Sequence, residues 1–217
     1  PKGNVDIKVE GTKLHINSEK YQSTINGMLA DEFPALPKIE GATELTLSAN
    51  TLKAAIAQTT LCASHDDTRP VLTGVLCHSH EGALYFAATD GYRLAEKMLM
   101  KTTATIKALI PASTLADVAR IIPEDCDEVS ILVDDAQVRF RMNDIEVTSR
   151  LIDGNFPDYR QLIPKETEIH ARVVRSDFTR VTKIASLFAR ESGGSVTVAT
   201  SSEKQLVSIH SVASQLG

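Results

Sequence analysis

Apolar and polar residues alternate in two similar stretches of the chain, residues 5–17 and residues 129–141. Each stretch is interrupted by a short polar turn. This pattern is typical of an antiparallel hairpin with one buried face. The two stretches align at a spacing of 124 residues, which places Ile7 with Ile131 and Ile16 with Phe140. The alternation therefore predicts that the same hairpin occurs twice.

Each predicted hairpin is followed by a Phe-Pro pair, Phe33-Pro34 in the first copy and Phe156-Pro157 in the second. A repeat of this length indicates duplicated domains rather than the short units of a solenoid. We expect a piece of a longer protein: the last strands of a first domain (1–40), a complete second domain (41–164) and the start of a third (165–217).

The rest of the pattern predicts helices and short antiparallel strands. Ser48 or Asn50 is a suitable N-cap for the first helix. The predicted helices span 48–63, 112–122 and 175–190, and the predicted strands span 71–77, 83–88, 92–100, 195–200 and 205–210. Helices interleaved with antiparallel strands predict an α+β fold.

Composition and charge exclude several classes of protein. The 217 residues contain no apolar run long enough for a membrane span and no basic leader followed by an apolar segment. Three cysteines, an odd and small number, are typical of small core residues in a reducing compartment. A net charge of −5 argues against a uniformly basic surface, but it allows one basic face.

The most distinctive segment is Ala-Thr-Asp-Gly-Tyr-Arg-Leu-Ala at residues 88–95. From its residues alone it is a hairpin turn that carries a surface arginine. It also resembles the signature of the bacterial β sliding clamp family. Three further segments resemble that family in the right order: residues 31–37, 68–76 and 153–164. The resemblance covers essentially the whole chain.

The resemblance implies a fold and a function. The family has a DNA-clamp fold of repeated domains, each with two helices packed on antiparallel sheets. Three domains form a subunit, and two subunits close a ring around duplex DNA. The implied protein is a cytoplasmic processivity factor without catalysis or cofactor. Its implied partners are duplex DNA, the replicative DNA polymerase, the clamp loader and other proteins with a clamp-binding motif, and no membrane.

The resemblance also implies a pocket that binds short peptide segments of partner proteins. Leucine and proline side chains would form its apolar walls, and Thr89 and Arg93 would supply hydrogen bonds. The matched residues are Leu72, Thr89, Gly91, Tyr92, Arg93, Leu94, Pro157, Gln161 and Leu162. Tyr92 stands where a histidine is common in the family, which affects the depth and selectivity of the pocket.

Basic side chains on helices are the candidates for contact with DNA. A protein that slides must hold phosphates loosely and avoid reading bases. The candidates are Lys53, Arg69, Arg120, Arg175, Arg180, Lys183 and Arg190. The alternative interpretation of each is a solvated charged face. The resemblance further places Leu187 at the interface between the subunits.

Two other classes of function remain open from the residues. A hydrolase of α+β fold would use a metal held by His65, Asp66 and Asp67, or by His78 and His80, although neither set has further ligands at a familiar spacing. The third hypothesis is a duplicated interaction module with no role on DNA.

Overall fold

A computed structural model describes residues 3–34, 39, 41–189 and 195–211 of the chain. The chain divides into two compact units, Pro1–Pro157 and Asp158–Gly217. Each unit is described by itself. In the part of the chain that the structure describes, every helix is too short or too polar to cross a membrane.

The described strands and helices of the first unit have the following bounds. The strands are β1 (Val5–Glu10), β2 (Lys13–Ser18), β3 (Tyr21–Asn26), β4 (Thr43–Ser48), β5 (Gly74–His80), β6 (Ala83–Thr89), β7 (Leu94–Lys101), β8 (Lys107–Pro111), β9 (Glu128–Val133), β10 (Gln137–Met142) and β11 (Ile145–Arg150). The helices are α1 (Ala49–Thr59) and α2 (Ala112–Ile121), and short 3₁₀ turns span Ala30–Glu32, Thr60–Cys62 and Pro70–Leu72.

Antiparallel pairing joins these strands into three sheets, with orders β1-β2-β3, β11-β10-β9-β4 and β7-β6-β5-β8. The two four-stranded sheets and both helices share one apolar core. Leu52 and Ile56 of α1 and Leu115 and Val118 of α2 are buried in it. Two helices packed on antiparallel sheets confirm the predicted α+β class.

The two predicted hairpins have the same register. Ile7 pairs with Ile16 in the first copy, and Ile131 pairs with Phe140 at the equivalent positions of the second. The third strand of each copy agrees as well. Every residue pair between β2 and β3 has an equivalent pair between β10 and β11, at positions 124 residues later. The alternation therefore identified a structural repeat, and the hairpin predictions are confirmed.

Burial distinguishes the two copies. The apolar residues of β9 lie in the core, where Ile131 is 1% exposed, whereas Ile7 at the equivalent position of β1 is 66% exposed. In the second copy, α1 contributes to the core that covers this face. The same alternation thus gives a buried strand or an exposed one, depending on what packs against it.

Two predicted strands of the first unit begin later than expected. The strand expected over 71–77 begins at Gly74, because Pro70–Leu72 forms a 3₁₀ turn. The carbonyl of Leu72 accepts a hydrogen bond from the backbone N–H of Ser64 at 2.8 Å and is thereby used outside the sheet. The strand expected over 92–100 begins at Leu94.

The described part of the second unit contains a 3₁₀ turn, one helix and one hairpin. The turn is Arg160–Leu162, the helix is α3 (Arg175–Phe188), and the strands are β12 (Thr197–Ser201) and β13 (Leu206–His210). The two strands pair in antiparallel fashion, as predicted. The apolar side chains of α3 include Phe178, Ile184 and Leu187, which are 38%, 55% and 60% exposed.

Candidate functional site

Residues Thr89–Leu94, which we call the Asp90 turn, connect β6 to β7. Hydrogen bonds between residues of this turn fix its conformation. Asp90 Oδ1 accepts hydrogen bonds from the backbone N–H of Tyr92 at 2.9 Å and of Arg93 at 3.0 Å. These two N–H groups are then occupied by the carboxylate, and the pairing of β7 with β6 begins only at Leu94. This is why the strand predicted from Tyr92 begins two residues later.

Thr89 and Gly91 complete the turn. The Thr89 hydroxyl accepts a hydrogen bond from the Gly91 N–H at 3.1 Å and donates one to the Arg93 carbonyl at 2.8 Å. Gly91 has φ +95, a conformation that side-chain-bearing residues rarely adopt. The backbone N–H groups of Tyr92 and then Arg93 lower the pKa of Asp90 to about 2. Asp90 is therefore a carboxylate at neutral pH.

The segment before β5 approaches the Asp90 turn. A Cβ built on Gly91 would lie 3.8 Å from Nη1 of Arg69, so this guanidinium lies beside the tip of the turn. Arg69 also forms a long ion pair of 3.7 Å with Asp66. Sequence analysis assigned Arg69 to DNA and Gly91 to the peptide pocket, and the structure places the two side by side.

The segment that follows β11 packs against the same part of the first unit. A Cβ on Gly154, at φ +132, would lie 2.6 Å from Cγ1 of Val71, the residue before Leu72. A Cβ on Gly74 would lie 2.8 Å from side-chain carbons of Ile152 and Leu109, so glycine is needed for this close approach. The two glycines let the chain pass over the sheet just before Pro157.

Several of the predicted pocket residues thus lie on segments that meet within the first unit. Leu72 is buried, Leu94 is half-buried and Pro157 is exposed. Tyr92 is 96% exposed. Gln161 and Leu162 belong to the second unit, where the Gln161 amide donates to the Asp158 carbonyl and Leu162 is 73% exposed.

A separate cleft of about 860 Å³ lies in the first unit beside the segment after β11. Its lining includes Leu76, Leu109, Gln137 and residues 148–156. None of the residues predicted for the peptide pocket lines this cleft. The predicted peptide pocket and this cleft are therefore different places.

Three of the seven predicted DNA contacts, Arg69, Arg120 and Arg180, have an acidic partner nearby in the sequence. Arg120 pairs with Asp117 at 2.8 Å and Arg180 with Asp177 at 3.2 Å, in each case with the aspartate three residues earlier, as for Arg69. These pairs are exposed, so each is worth only about 0–1 kcal/mol.

The other candidates differ from one another. The ammonium of Lys53 is part-buried and donates to the Ile122 carbonyl after the end of α2, at 3.1 Å, so it stabilises the packing of α1 on α2. Arg175 and Lys183 are exposed on α3. Arg190 lies outside the described residues.

Sequence analysis did not find the acidic partners or the role of Asp90. Their signal was present: aspartate three residues before arginine recurs at Asp66, Asp90, Asp117 and Asp177.

Two of the residues considered for a metal, Asp66 and His78, have other contacts. Asp66 accepts two hydrogen bonds from Thr68, and the one from its hydroxyl, at 2.7 Å, is the main cause of the lowered pKa of Asp66. The His78 ring stacks on Tyr85 with centroids 5.9 Å apart. In the described residues, no three side chains of His, Cys, Asp or Glu come close enough to hold a metal ion.

Fold and site together define an α+β protein in which a hairpin is repeated and a turn is preorganised by its own hydrogen bonds. Comparison with known proteins gives the family. The family described as "DNA polymerase III beta subunit, central domain" matches residues 46–158, about half of the chain. The chain belongs to this family.

Relatives and solved structures agree with this assignment. The chain is 32% identical to the beta sliding clamp of Bacillus subtilis (strain 168), over 100% of this chain and 58% of the relative. The crystal structure of the Bacillus subtilis DNA polymerase sliding clamp has a TM-score of 0.80 at 30% identity, over 96% of this chain and 59% of the other. The beta subunit from Streptococcus pyogenes DNA polymerase has a TM-score of 0.84 at 24% identity, over 98% and 58%, and so supports the fold alone. The predicted DNA-clamp fold is confirmed, and the chain spans little more than half the length of these relatives.

Proposed function

We propose that this chain is part of a ring-shaped DNA polymerase processivity factor that encircles duplex DNA and docks partner proteins through short peptide segments. The partners we propose are the replicative polymerase, the clamp loader and other proteins with a clamp-binding motif. The proposed role is that of a tether without catalysis or cofactor in the cytoplasm. Membership of the beta subunit family and the relatives' name, sliding clamp, support this proposal.

The proposed domain organisation follows the repeat. Residues 1–40 would be the last part of a first clamp domain, 41–164 a complete second domain and 165–217 the start of a third. The identical register of the two hairpins supports the equivalence of the first two. In the complete protein we propose a homodimer in which Leu187, exposed on α3, lies at the subunit interface.

The observation that carries the docking proposal is the convergence of the Asp90 turn, the 3₁₀ turn at Leu72 and the segment that ends at Pro157. A docked peptide with a leucine and an aromatic residue would bury apolar surface against Leu72 and Leu94. Burial of two such side chains contributes roughly 3–6 kcal/mol before the cost of association is subtracted. One peptide should therefore bind weakly and exchange readily, as a platform shared by several partners requires.

Peptide titration tests the docking proposal. The test peptide is a short synthetic peptide that ends in Leu-Phe with a free carboxylate, and its binding is measured by calorimetry. Leu162→Asp should abolish binding without harm to the fold, because Leu162 is 73% exposed. Leu94→Asp should do the same. Leu29→Asp, at an exposed position of the first unit, is the matched control. Undiminished binding by both pocket variants would show that the pocket is elsewhere.

Contact with DNA is tested on α3. Arg180→Ala combined with Lys183→Ala should weaken association with duplex DNA and lower the slope of log affinity against log salt by about two, since each phosphate contact contributes roughly 0.9. The control removes the same charge outside the helix, with Lys165→Ala and Arg172→Ala, both exposed. An equal loss of affinity at every salt concentration would contradict contact with phosphates.

A further inference from the structure

The guanidinium of Arg93 is hydrogen-bonded to Asp90 through one of its N–H groups, and the side chain is exposed to solvent. Its Nε donates to Oδ2 of Asp90 at 2.9 Å. The side chain of Arg93 is 57% exposed, whereas that of Asp90 is only 20% exposed. A guanidinium has five N–H donors, and this bond uses only the one at Nε. The N–H groups on the two terminal nitrogens are outside this bond, on a side chain that faces solvent.

The two oxygens of Asp90 have different roles. Oδ1 accepts from the backbone N–H groups of Tyr92 and Arg93 and so shapes the turn. Oδ2 accepts from the Arg93 side chain and so orients the guanidinium. All of these bonds, and those of Thr89, lie within residues 89–93. The arrangement therefore belongs to the Asp90 turn itself and does not depend on the second unit.

We propose that Asp90 is a positioning residue, which fixes Arg93 so that its terminal N–H groups are presented to an oxygen acceptor of a docked peptide. This inference rests on the proposed docking function. A planar guanidinium held in one orientation binds a carboxylate or carbonyl oxygen without first losing rotamer freedom. Both oxygens of Asp90 accept hydrogen bonds inside the turn, so the role proposed for Asp90 is to hold Arg93 rather than to bind the peptide.

Substitutions at Asp90 separate its two roles. Asp90→Asn can retain the acceptor at Oδ1 and hence the turn, but it places an amide NH₂ where Oδ2 accepted, opposite another donor. The guanidinium is thereby released. Asp90→Ala removes both roles. Asp144→Asn is the matched control, because it removes one exposed carboxylate from the turn between β10 and β11, on a different sheet.

Calorimetry with the test peptide gives the expected result. Asp90→Asn should weaken binding about two- to tenfold, the range expected when a side chain must be ordered on binding. Asp144→Asn should have no effect. In an Arg93→Ala background, Asp90→Asn should also have no further effect, because there is no guanidinium left to position. Native affinity in Asp90→Asn, or an equal loss with and without Arg93, would overturn the proposal.

The C-terminal amide of the same peptide identifies the acceptor. If the native chain binds the amide more weakly than the acid, and Arg93→Ala binds the two equally, Arg93 contacts the terminal carboxylate. Equal binding of acid and amide, with the Asp90–Arg93 coupling intact, would assign it to a backbone carbonyl. Either outcome supports the positioning role.

Hydrogen exchange at Arg93 Nε–H, measured by NMR on the peptide-free chain, separates this inference from the proposed function. Protection in the native chain and in Asp144→Asn, with its loss in Asp90→Asn, is the expected result. If Arg93 Nε–H is protected but the chain binds no peptide, the docking function is overturned, and the role of Asp90 in docking is overturned with it. Normal peptide binding with an unprotected Nε–H would overturn the positioning role alone.

Discussion

Replacing equivalent isoleucines of the two hairpins should cost very different amounts of stability. Ile131 and Ile7 occupy the same position of the repeat, but Ile131 is 1% exposed and Ile7 is 66% exposed. Ile→Ala removes three carbon groups, each worth about 0.8 kcal/mol when it is fully buried. For Ile131 the lost transfer energy and the residual cavity together should lower the free energy of unfolding by roughly 2–5 kcal/mol.

The same change at Ile7 should cost below about 1 kcal/mol, since only about a third of this side chain is buried and no enclosed cavity forms. Val133→Ala and Val9→Ala form a second matched pair, with exposures of 7% and 68%. All four residues belong to the first compact unit.

Urea denaturation followed by far-ultraviolet circular dichroism measures these differences, because the chain has no tryptophan for fluorescence. The dependence of the unfolding free energy on urea should stay constant among variants, which allows the midpoints to be compared directly. If Ile7→Ala were as destabilising as Ile131→Ala, the apolar face of β1 would be covered in the 217-residue chain, and the reasoning from its exposure would be refuted.

Three further predictions concern single side chains. The thiols of Cys62, Cys77 and Cys126 are buried and should resist a disulfide reagent until the chain unfolds. For Cys77, burial also raises the pKa to about 12, which removes the reactive thiolate. Rapid labelling of the folded chain would contradict the burial of these thiols. The pKa of Asp90 is lowered, so its stabilisation of the turn is complete above about pH 4 and should be lost as the pH falls towards 2. The NMR chemical shift of the Tyr92 amide should follow this loss in the native chain and not in Asp90→Asn. Lys53→Met should lower stability by about 1 kcal/mol and leave the salt slope of DNA binding unchanged; a lower slope would mean that Lys53 meets phosphate.

In β9 and β10 the alternation corresponds to burial of one face, whereas β1 has the same alternation although all of its residues are exposed. Val129, Ile131, Val138 and Phe140 all lie in the core. The strands β3, β4, β8 and β11 were not predicted. The residues of β11 are half-buried or exposed, and β4 runs directly into α1, whose N-cap Ser48 is also the last residue of the strand. At that junction the helix signal obscured the strand.

The parts of the site that the sequence did not reveal depend on hydrogen bonds made by side chains. Asp-Gly at positions 90 and 91 indicated a tight turn, which is correct. The pattern could not show that Asp90 would occupy the N–H groups of Tyr92 and Arg93 and thereby delay β7. Similarly, lysine is common on the solvated faces of helices, so the sequence does not indicate an internal partner for Lys53. Only the packing of α1 on α2 brings its ammonium to the Ile122 carbonyl.

The same pairing of aspartate with arginine has opposite consequences at two places in the chain. At Asp90 the carboxylate is four-fifths buried and also binds two backbone N–H groups, so the arginine is fixed. At Asp177 the carboxylate is 63% exposed, and Arg180 is held by a single bond of 3.2 Å. Such an exposed pair is worth about 0–1 kcal/mol, so in the proposed contact with DNA Arg180 would exchange its aspartate for a phosphate at almost no cost and return equally easily. The function we propose would use both behaviours: a docking surface that is ordered before its partner arrives, and contacts with DNA that are released at every step of sliding.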